Sequence, residues 1–278
     1  MSTILRVDEL RKEFGGLVAV DNVSFEIKSG EFVGLIGPNG CGKSTTFNCI
    51  SGLLEKTSGE IEVFGENTVN KTPDQIQKMG LTRTFQHTRL WRRMTVIENL
   101  LVPPRNQFGS SFSDKIKALF LRNLEKLELG LFGKNVVTIP ANENEKNRLI
   151  KAFEILDQLE VPHMAHNLTS ELSGGQSKLV DIGRSMMGDP KLLLLDEPVA
   201  GVAGPLALKI FNNLRDLVDK TGVSVLIIEH NMDFILRQGV DRIIVMNEGG
   251  VLMQGTPDQV RGNREVIEAY LGSKGEEE

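Results

Sequence analysis

Gly37-Pro38-Asn39-Gly40-Cys41-Gly42-Lys43-Ser44-Thr45 is the stretch whose reading decides the fold. A short apolar run, Phe32-Val33-Gly34-Leu35-Ile36, precedes it and reads as a buried strand. Thr46-Phe47-Asn48-Cys49-Ile50 follows and reads as the start of a helix. Strand, glycine loop and helix in that order form a phosphate-binding loop. The glycines let the backbone curl until successive N–H groups point into one concavity, and the helix adds the positive end of its dipole. Lys43 supplies a mobile cation for β- and γ-phosphates, and the Ser44 hydroxyl is a ligand for Mg²⁺. A glycine-rich turn with an incidental lysine would not carry the four fixed residues and both flanking elements together.

Around this loop the chain changes texture twice. Residues 4–36 are β-rich: Ile4-Leu5-Arg6-Val7 and Val23-Ser24-Phe25-Glu26-Ile27 alternate, with turns at Gly15-Gly16 and Ser29-Gly30. Ile61-Glu62-Val63-Phe64-Gly65 adds a strand, giving a small antiparallel layer beside the nucleotide. Phe14, just ahead of that layer, is either a ring that stacks on a purine or a core residue at a strand end. Residues 74–170 show helical spacing instead, as in Ile116, Leu119, Phe120, Leu124, Leu127 and Leu131, a stripe that packs or faces a partner. The polar stretch 140–148 breaks the pattern, and a helix runs from about Leu149 to Leu159, ended by Pro162. After 190 the αβ alternation returns. The runs 192–195, 223–228 and 242–246 read as strands buried on both faces, with a helix over 206–218. The last residues, 273–278, read as a solvated acidic tail.

Bulk properties narrow the classes. The chain has 278 residues, 40% hydrophobic and 25% charged, ordinary for a globular protein. A net charge of −5 argues against a general nucleic-acid binder. Cys41 and Cys49 are the only cysteines and lack metal-ligand spacing. The first residues show no secretion signal and no apolar run reaches membrane-span length, so a reduced, cytosolic protein is expected, with any membrane role exerted through a partner. His163 and His166 share a spacing that suits one helix face, but Pro162 and the lack of further ligands argue against a metal pair.

Asp196-Glu197 ends the 192–195 run, where groups at the carboxyl ends of parallel strands meet ligands. One carboxylate there can hold Mg²⁺ and the next can polarise a water for attack on the γ-phosphate. Leu172-Ser173-Gly174-Gly175-Gln176, lying between the phosphate loop and Asp196, resembles the signature motif of ABC-type ATPases. The Gly174 and Gly175 amides and the Ser173 hydroxyl are donors at a helix N-terminus.

The resemblance implies an α/β P-loop NTPase (RecA-like) core with an antiparallel β subdomain and an inserted α-helical subdomain. One ABC ATPase domain then fills 1–278: core and β subdomain over 4–75 and 190–272, helical subdomain with signature over 76–189, tail over 273–278. It implies ATP and Mg²⁺ as ligands. The nucleotide meets Phe14, Val20, Asn39, Gly40, Cys41, Gly42, Lys43, Ser44, Thr45, Thr46 and Asp196, and across a dimer Ser173, Gly174, Gly175 and Gln176. The cation meets Ser44, Gln86 and Asp196. Glu197 matches the catalytic base, His230 the switch histidine on the γ-phosphate, and Gln86 the glutamine loop. One departure stands out: Ala203 occupies a position where the family usually carries an aspartate or asparagine. Ser177-Lys178 also replaces the more usual Gln-Arg.

Arg83-Thr84-Phe85-Gln86, Met94-Thr95-Val96-Ile97-Glu98-Asn99-Leu100, the insert at 103–147, Glu229-His230-Asn231-Met232-Asp233-Phe234 and Val266-Ile267-Glu268-Ala269-Tyr270-Leu271-Gly272 together resemble the ATP-binding subunit of branched-chain amino-acid importers. Urea or amide importers and lipopolysaccharide exporters share several of these markers. The resemblance implies a second ATPase subunit, identical or related, and permeases docking near Leu90, Trp91 and Met94. It further implies an indirect substrate-binding protein and a place at the cytoplasmic face of the membrane. A soluble ABC protein acting on DNA or ribosomes would carry two cassettes or a long coiled coil. A non-hydrolysing regulator is the other alternative, raised by Ala203.

Overall fold

Two long strands open the chain, β1 (Thr3–Phe14) and β2 (Leu17–Lys28), folded back on each other at Gly15-Gly16 with several bulges in register. β4 (Ser58–Val63) pairs with the other edge of β1, and β5 (Glu66–Asn67) with β4, giving an antiparallel sheet in the order β2-β1-β4-β5. A second sheet runs β10-β9-β3-β8-β7-β6. It comprises β3 (Phe32–Ile36), β6 (Leu81–Arg83), β7 (Leu192–Asp196), β8 (Ser224–Glu229), β9 (Arg242–Asn247) and β10 (Gly250–Gly255). Its pairings are parallel except for the β9–β10 hairpin at one edge. Every residue of β3, β7 and β8 is buried, as expected of strands covered on both faces. The computed structural model describes residues 2–86, 88–102, 143–237 and 239–272.

The helices among these residues are α1 (Lys43–Ile50), α2 (Pro73–Met79), α3 (Val96–Leu101), α4 (Glu143–Gln158), α5 (Gly174–Met186), α6 (Gly204–Thr221), α7 (Met232–Ile235), α8 (Pro257–Arg261) and α9 (Arg264–Gly272). The chain forms two compact units, Met1–Thr88 with Gly188–Glu278, and Arg89–Met187. In the first, α1 lies between the two sheets. Its Phe47 and Ile50 share one core with Leu10 and Val20 of the first sheet and Leu35 and Ile228 of the second. Full burial of a side chain such as Phe47 contributes about 1.5–3 kcal/mol. Elsewhere Phe211 of α6 stacks on Phe32 at 5.9 Å and meets Phe234 edge-on at 4.9 Å.

In the second unit Gly183 lets α5 approach its neighbours. A Cβ there would stand 3.0 Å from Leu159 and 3.2 Å from Ile155. Thr95 and Glu98 close a capping box at the start of α3.

Four expectations shift. The boundary of the helical region falls at 88/89 and 187/188 rather than 75/76 and 189/190, because 81–83 pairs with β7 and takes α2 with it. α4 begins at Glu143, inside the polar stretch expected to break the helical pattern. β10 follows the Gly249 turn, where no strand was read. The helix over 206–218 extends to Gly204–Thr221. The 116–131 stripe, the insert up to 142 and the tail 273–278 lie outside the described residues.

Candidate functional site

In register, Ile36 at the end of β3 stands beside Glu229 of β8, and Asp196 of β7 beside Ile228. The loop 37–42, the pair Asp196-Glu197 and His230 therefore all leave the sheet at one edge, the carboxyl ends of its parallel strands.

Two glycines of the loop are there by necessity. Gly37 has φ 154°, and a Cβ on it would lie 2.2 Å from the Met246 carbonyl oxygen. Gly42 has φ 99°, and its Cβ would lie 2.5 Å from the Ala19 carbonyl oxygen. Gly42 is also the N-cap of α1. It brings no side-chain cap, and the first turn has no acidic residue, so no side chain of the helix covers its positive end. Asn39, Gly40 and Ser44 are exposed and Thr45 is half-buried. The Lys43 ammonium is buried and donates to the carbonyls of Gly37 (2.7 Å) and Pro38 (2.8 Å).

Three residues expected at the nucleotide turn inward instead. Val20 is fully buried and packs under Gly42, which leaves it no surface to offer a base. Thr46 is fully buried too; its hydroxyl (3.0 Å) and its N–H (2.9 Å) both donate to the Gly42 carbonyl. Cys41 is buried, its Sγ 3.7 Å from Lys43 Nζ. Burial pushes its thiol pKa up, against the opposing pull of Lys43. Burial likewise pushes Cys49 up to about 11, and both thiols are free. Phe14 is the opposite case. It is 46% exposed with Lys12 Nζ 4.8 Å from its ring centre, which rules out the core alternative.

At the strand ends Gln86, Glu197 and His230 come together. Gln86 Nε2 donates to Glu197 Oε2 at 2.8 Å, and His230 Nδ1 lies 3.7 Å from Glu197 Oε1. Glu197 holds φ 47°, a left-handed conformation unusual for its type, while its N–H donates to the Ile228 carbonyl at 3.1 Å. Asp196 is buried in an ion pair with Arg83, whose Nη2 donates to Oδ2 at 2.8 Å. Glu229, 1% exposed at its side chain, accepts from the Val199 N–H and lies 4.0 Å from His230 Nδ1. In the sequence Arg83 and Glu229 stand only inside larger motifs; the signal they carry is a charged residue ending a largely buried strand.

A hydroxyl at a helix start (Ser44), one carboxylate (Asp196) and an amide (Gln86) form a donor set that fits Mg²⁺, which keeps waters and phosphate oxygens as its other ligands. Among the described residues no three His, Cys, Asp or Glu side chains stand together as a protein-only metal site. His163 lies in a 3-10 turn (Pro162–Met164), and burial lowers the pKa of His166.

In the second unit Ser173 N-caps α5 by a reciprocal pair. Ser173 Oγ accepts from the Gln176 N–H (3.3 Å), and Gln176 Oε1 accepts from the Ser173 N–H (2.8 Å). Ser173 and Gly174 are exposed, Gln176 half-buried and Gly175 buried. Trp91 is 48% exposed, Leu90 and Met94 half-buried. The segment is stitched from beneath: buried Asn99 accepts from the Trp91 N–H (2.8 Å) and donates to the Thr95 carbonyl (2.9 Å), and Thr169 donates to the Trp91 carbonyl (2.8 Å). Arg184 of α5 lies 5.3 Å from the Trp91 ring. Ala203 caps α6 with no side-chain hydrogen bond.

The model of the family described as ABC transporter matches residues 20–200, and that described as Branched-chain amino acid ATP-binding cassette transporter matches 251–276. The high-affinity branched-chain amino acid transport ATP-binding protein LivG of Escherichia coli (strain K12) is 37% identical over 270 residues, 97% of this chain and 98% of that protein. The probable branched-chain amino acid transport ATP-binding protein LivG of Archaeoglobus fulgidus is 35% identical over 274 residues, 99% of this chain and 97% of that protein. Among solved structures, the ADP conformation of an ATP-binding cassette of an ABC transporter superposes with TM-score 0.79 at 36% identity, covering 98% of this chain and 100% of that one.

Proposed function

The chain belongs to the ABC transporter family as one of its ATP-binding cassettes, an ATPase, and from that premise we propose that it binds Mg·ATP at the loop 37–45 and hydrolyses it with Glu197 to drive import of branched-chain amino acids. The observation that carries the chemistry is the convergence of Gln86, Glu197 and His230 at the strand ends, the sheet edge from which the loop 37–42 also leaves. The loop amides and Lys43 hold the β- and γ-phosphates, and the exposed Phe14 ring stacks on the adenine. Val20 and Thr46 act from below, by shaping the loop. Ser44, Asp196 and Gln86 hold Mg²⁺, which neutralises phosphate charge when bound. Glu197 takes up the proton of the attacking water, held in line by Gln86. His230, oriented by Glu229, donates to the γ-phosphate.

Ser173, Gly174, Gly175 and Gln176 of one copy complete the site of a second cassette, identical or related, so that two nucleotides lie between two subunits. Trp91, with Leu90 and Met94, docks a permease, which places the protein at the cytoplasmic face of a membrane. Among the described residues no helix is long and apolar enough to cross one. The cargo assignment rests on the relatives' names and on the match at 251–276. A binding protein delivers the amino acid to the permease.

Glu197→Gln tests the reading. The variant is expected to bind Mg·ATP normally, to lose about 10²–10⁴-fold in turnover, and to sediment as a nucleotide-loaded dimer. Undiminished turnover would remove Glu197 from the role of base. Uptake of labelled leucine, restored by this subunit in cells lacking their own, tests the cargo.

A further inference from the structure

Arg83 is a buried, multiply bonded side chain that the function above leaves without a role. Its side chain is 7% exposed. One terminal nitrogen donates to Asp196 Oδ2 at 2.8 Å; the other donates to Asn48 Oδ1 at 2.7 Å and Ser51 Oγ at 3.1 Å, on α1 and its C-cap. The guanidinium lies 5.6 Å from the ring of Phe47 and 5.5 Å from that of Phe85. Among the described residues no donor other than Arg83 engages the Asp196 carboxylate, so Oδ1 stays outside the ion pair. Three residues further on, Gln86 donates to Glu197, the neighbour of Asp196. The end of β6 thus grips two adjacent carboxylates at the end of β7.

We propose that Arg83 is a positioning residue for the cation-binding carboxylate. It fixes Asp196 by one oxygen, ties it to the helix that begins at the phosphate loop, and leaves the other oxygen for the metal's shell. A planar fork between two rings can do this; the point charge of a lysine cannot hold both directions at once. A buried ion pair adds little stability over apolar groups of the same size, so its consequence lies in where it holds the carboxylate. The inference rests on the proposed role of Asp196 in holding Mg²⁺.

The test measures binding of a fluorescent ATP analogue by full-length wild type, Arg83→Met, Arg83→Lys and Asp196→Asn, first in EDTA and then across a Mg²⁺ titration. Arg83→Met should bind nucleotide in EDTA within about two-fold of wild type, with its Mg²⁺ midpoint raised about ten-fold, the lower end of what orienting partners of metal ligands are worth. Arg83→Lys should fall between, and it serves if the methionine variant does not fold. Simple charge removal predicts the reverse, because deleting a cation beside the carboxylate would lower the midpoint. A lowered or unchanged midpoint in the Arg83 variants, with Asp196→Asn raised, overturns the role of Arg83 alone. A lower melting temperature with no shift in midpoint marks a merely structural residue and overturns it as well. An unshifted midpoint in Asp196→Asn overturns the metal reading of Asp196, and this inference with it.

Discussion

Helices α1 and α5 both begin in glycine-rich turns, yet only α5 closes its own end. Ser173 and Gln176 exchange hydrogen bonds across its first turn. α1 begins from a left-handed glycine with no side-chain cap and no carboxylate nearby in sequence. A glycine in place of a serine cap is unfavourable for a helix in isolation, by roughly a few tenths of a kcal/mol. α1 tolerates it because Phe47 and Ile50 are locked between two sheets. The lesson is a division of labour. The end held by the core needs no side-chain cap; the other, which must hold its own turn, closes it with one.

Substitutions can break that contrast. The largest effect is expected from Gly42→Ala, whose methyl would strike the Ala19 carbonyl in a backbone conformation alanine rarely adopts. Nucleotide affinity should fall by about 100-fold or more, as for about 3 kcal/mol of strain, measured by equilibrium titration. Lys43→Ala removes a charge-assisted contact and should weaken ATP binding by about 10–100-fold; unchanged binding would contradict the loop assignment. Ser173→Ala should leave nucleotide binding by the single subunit intact. It should cost about 1 kcal/mol in thermal stability and slow turnover that depends on subunit pairing. Loss of binding in the lone subunit would show that the two ends do not divide the work as argued. Smallest, Ala203→Asp supplies α6 with the cap it lacks and should raise stability by about 0.5–1 kcal/mol in a thermal melt.

The loop was legible because its chemistry is local: glycines, lysine and serine lie within nine positions, and the strand before it and the helix after it announce themselves by pattern. What stayed hidden depends on distant partners. β6 is three residues long and exists because it pairs with β7, which no periodicity of residues 81–83 reveals. Arg83 reads as a subfamily marker until the fold sets it against a carboxylate 113 positions away. Val20 and Thr46 matched a motif, but a motif does not say which side chains face down; Ala19, Met246 and Gly42 decide that from beneath. Phe14 was ambiguous because an aromatic at a strand end is equally at home in a core, and the hairpin resolves it by carrying the ring into solvent.

The twisted backbone at Glu197 has an evolutionary corollary. A carboxylate-bearing residue held at φ 47° gives up about 1 kcal/mol relative to glycine. A laboratory selection that rewards heat resistance and ignores turnover should therefore accept glycine at position 197, as at other described residues with positive φ such as Glu9 and Glu248. If Glu197 is the base proposed above, such a change would trade turnover for stability at position 197.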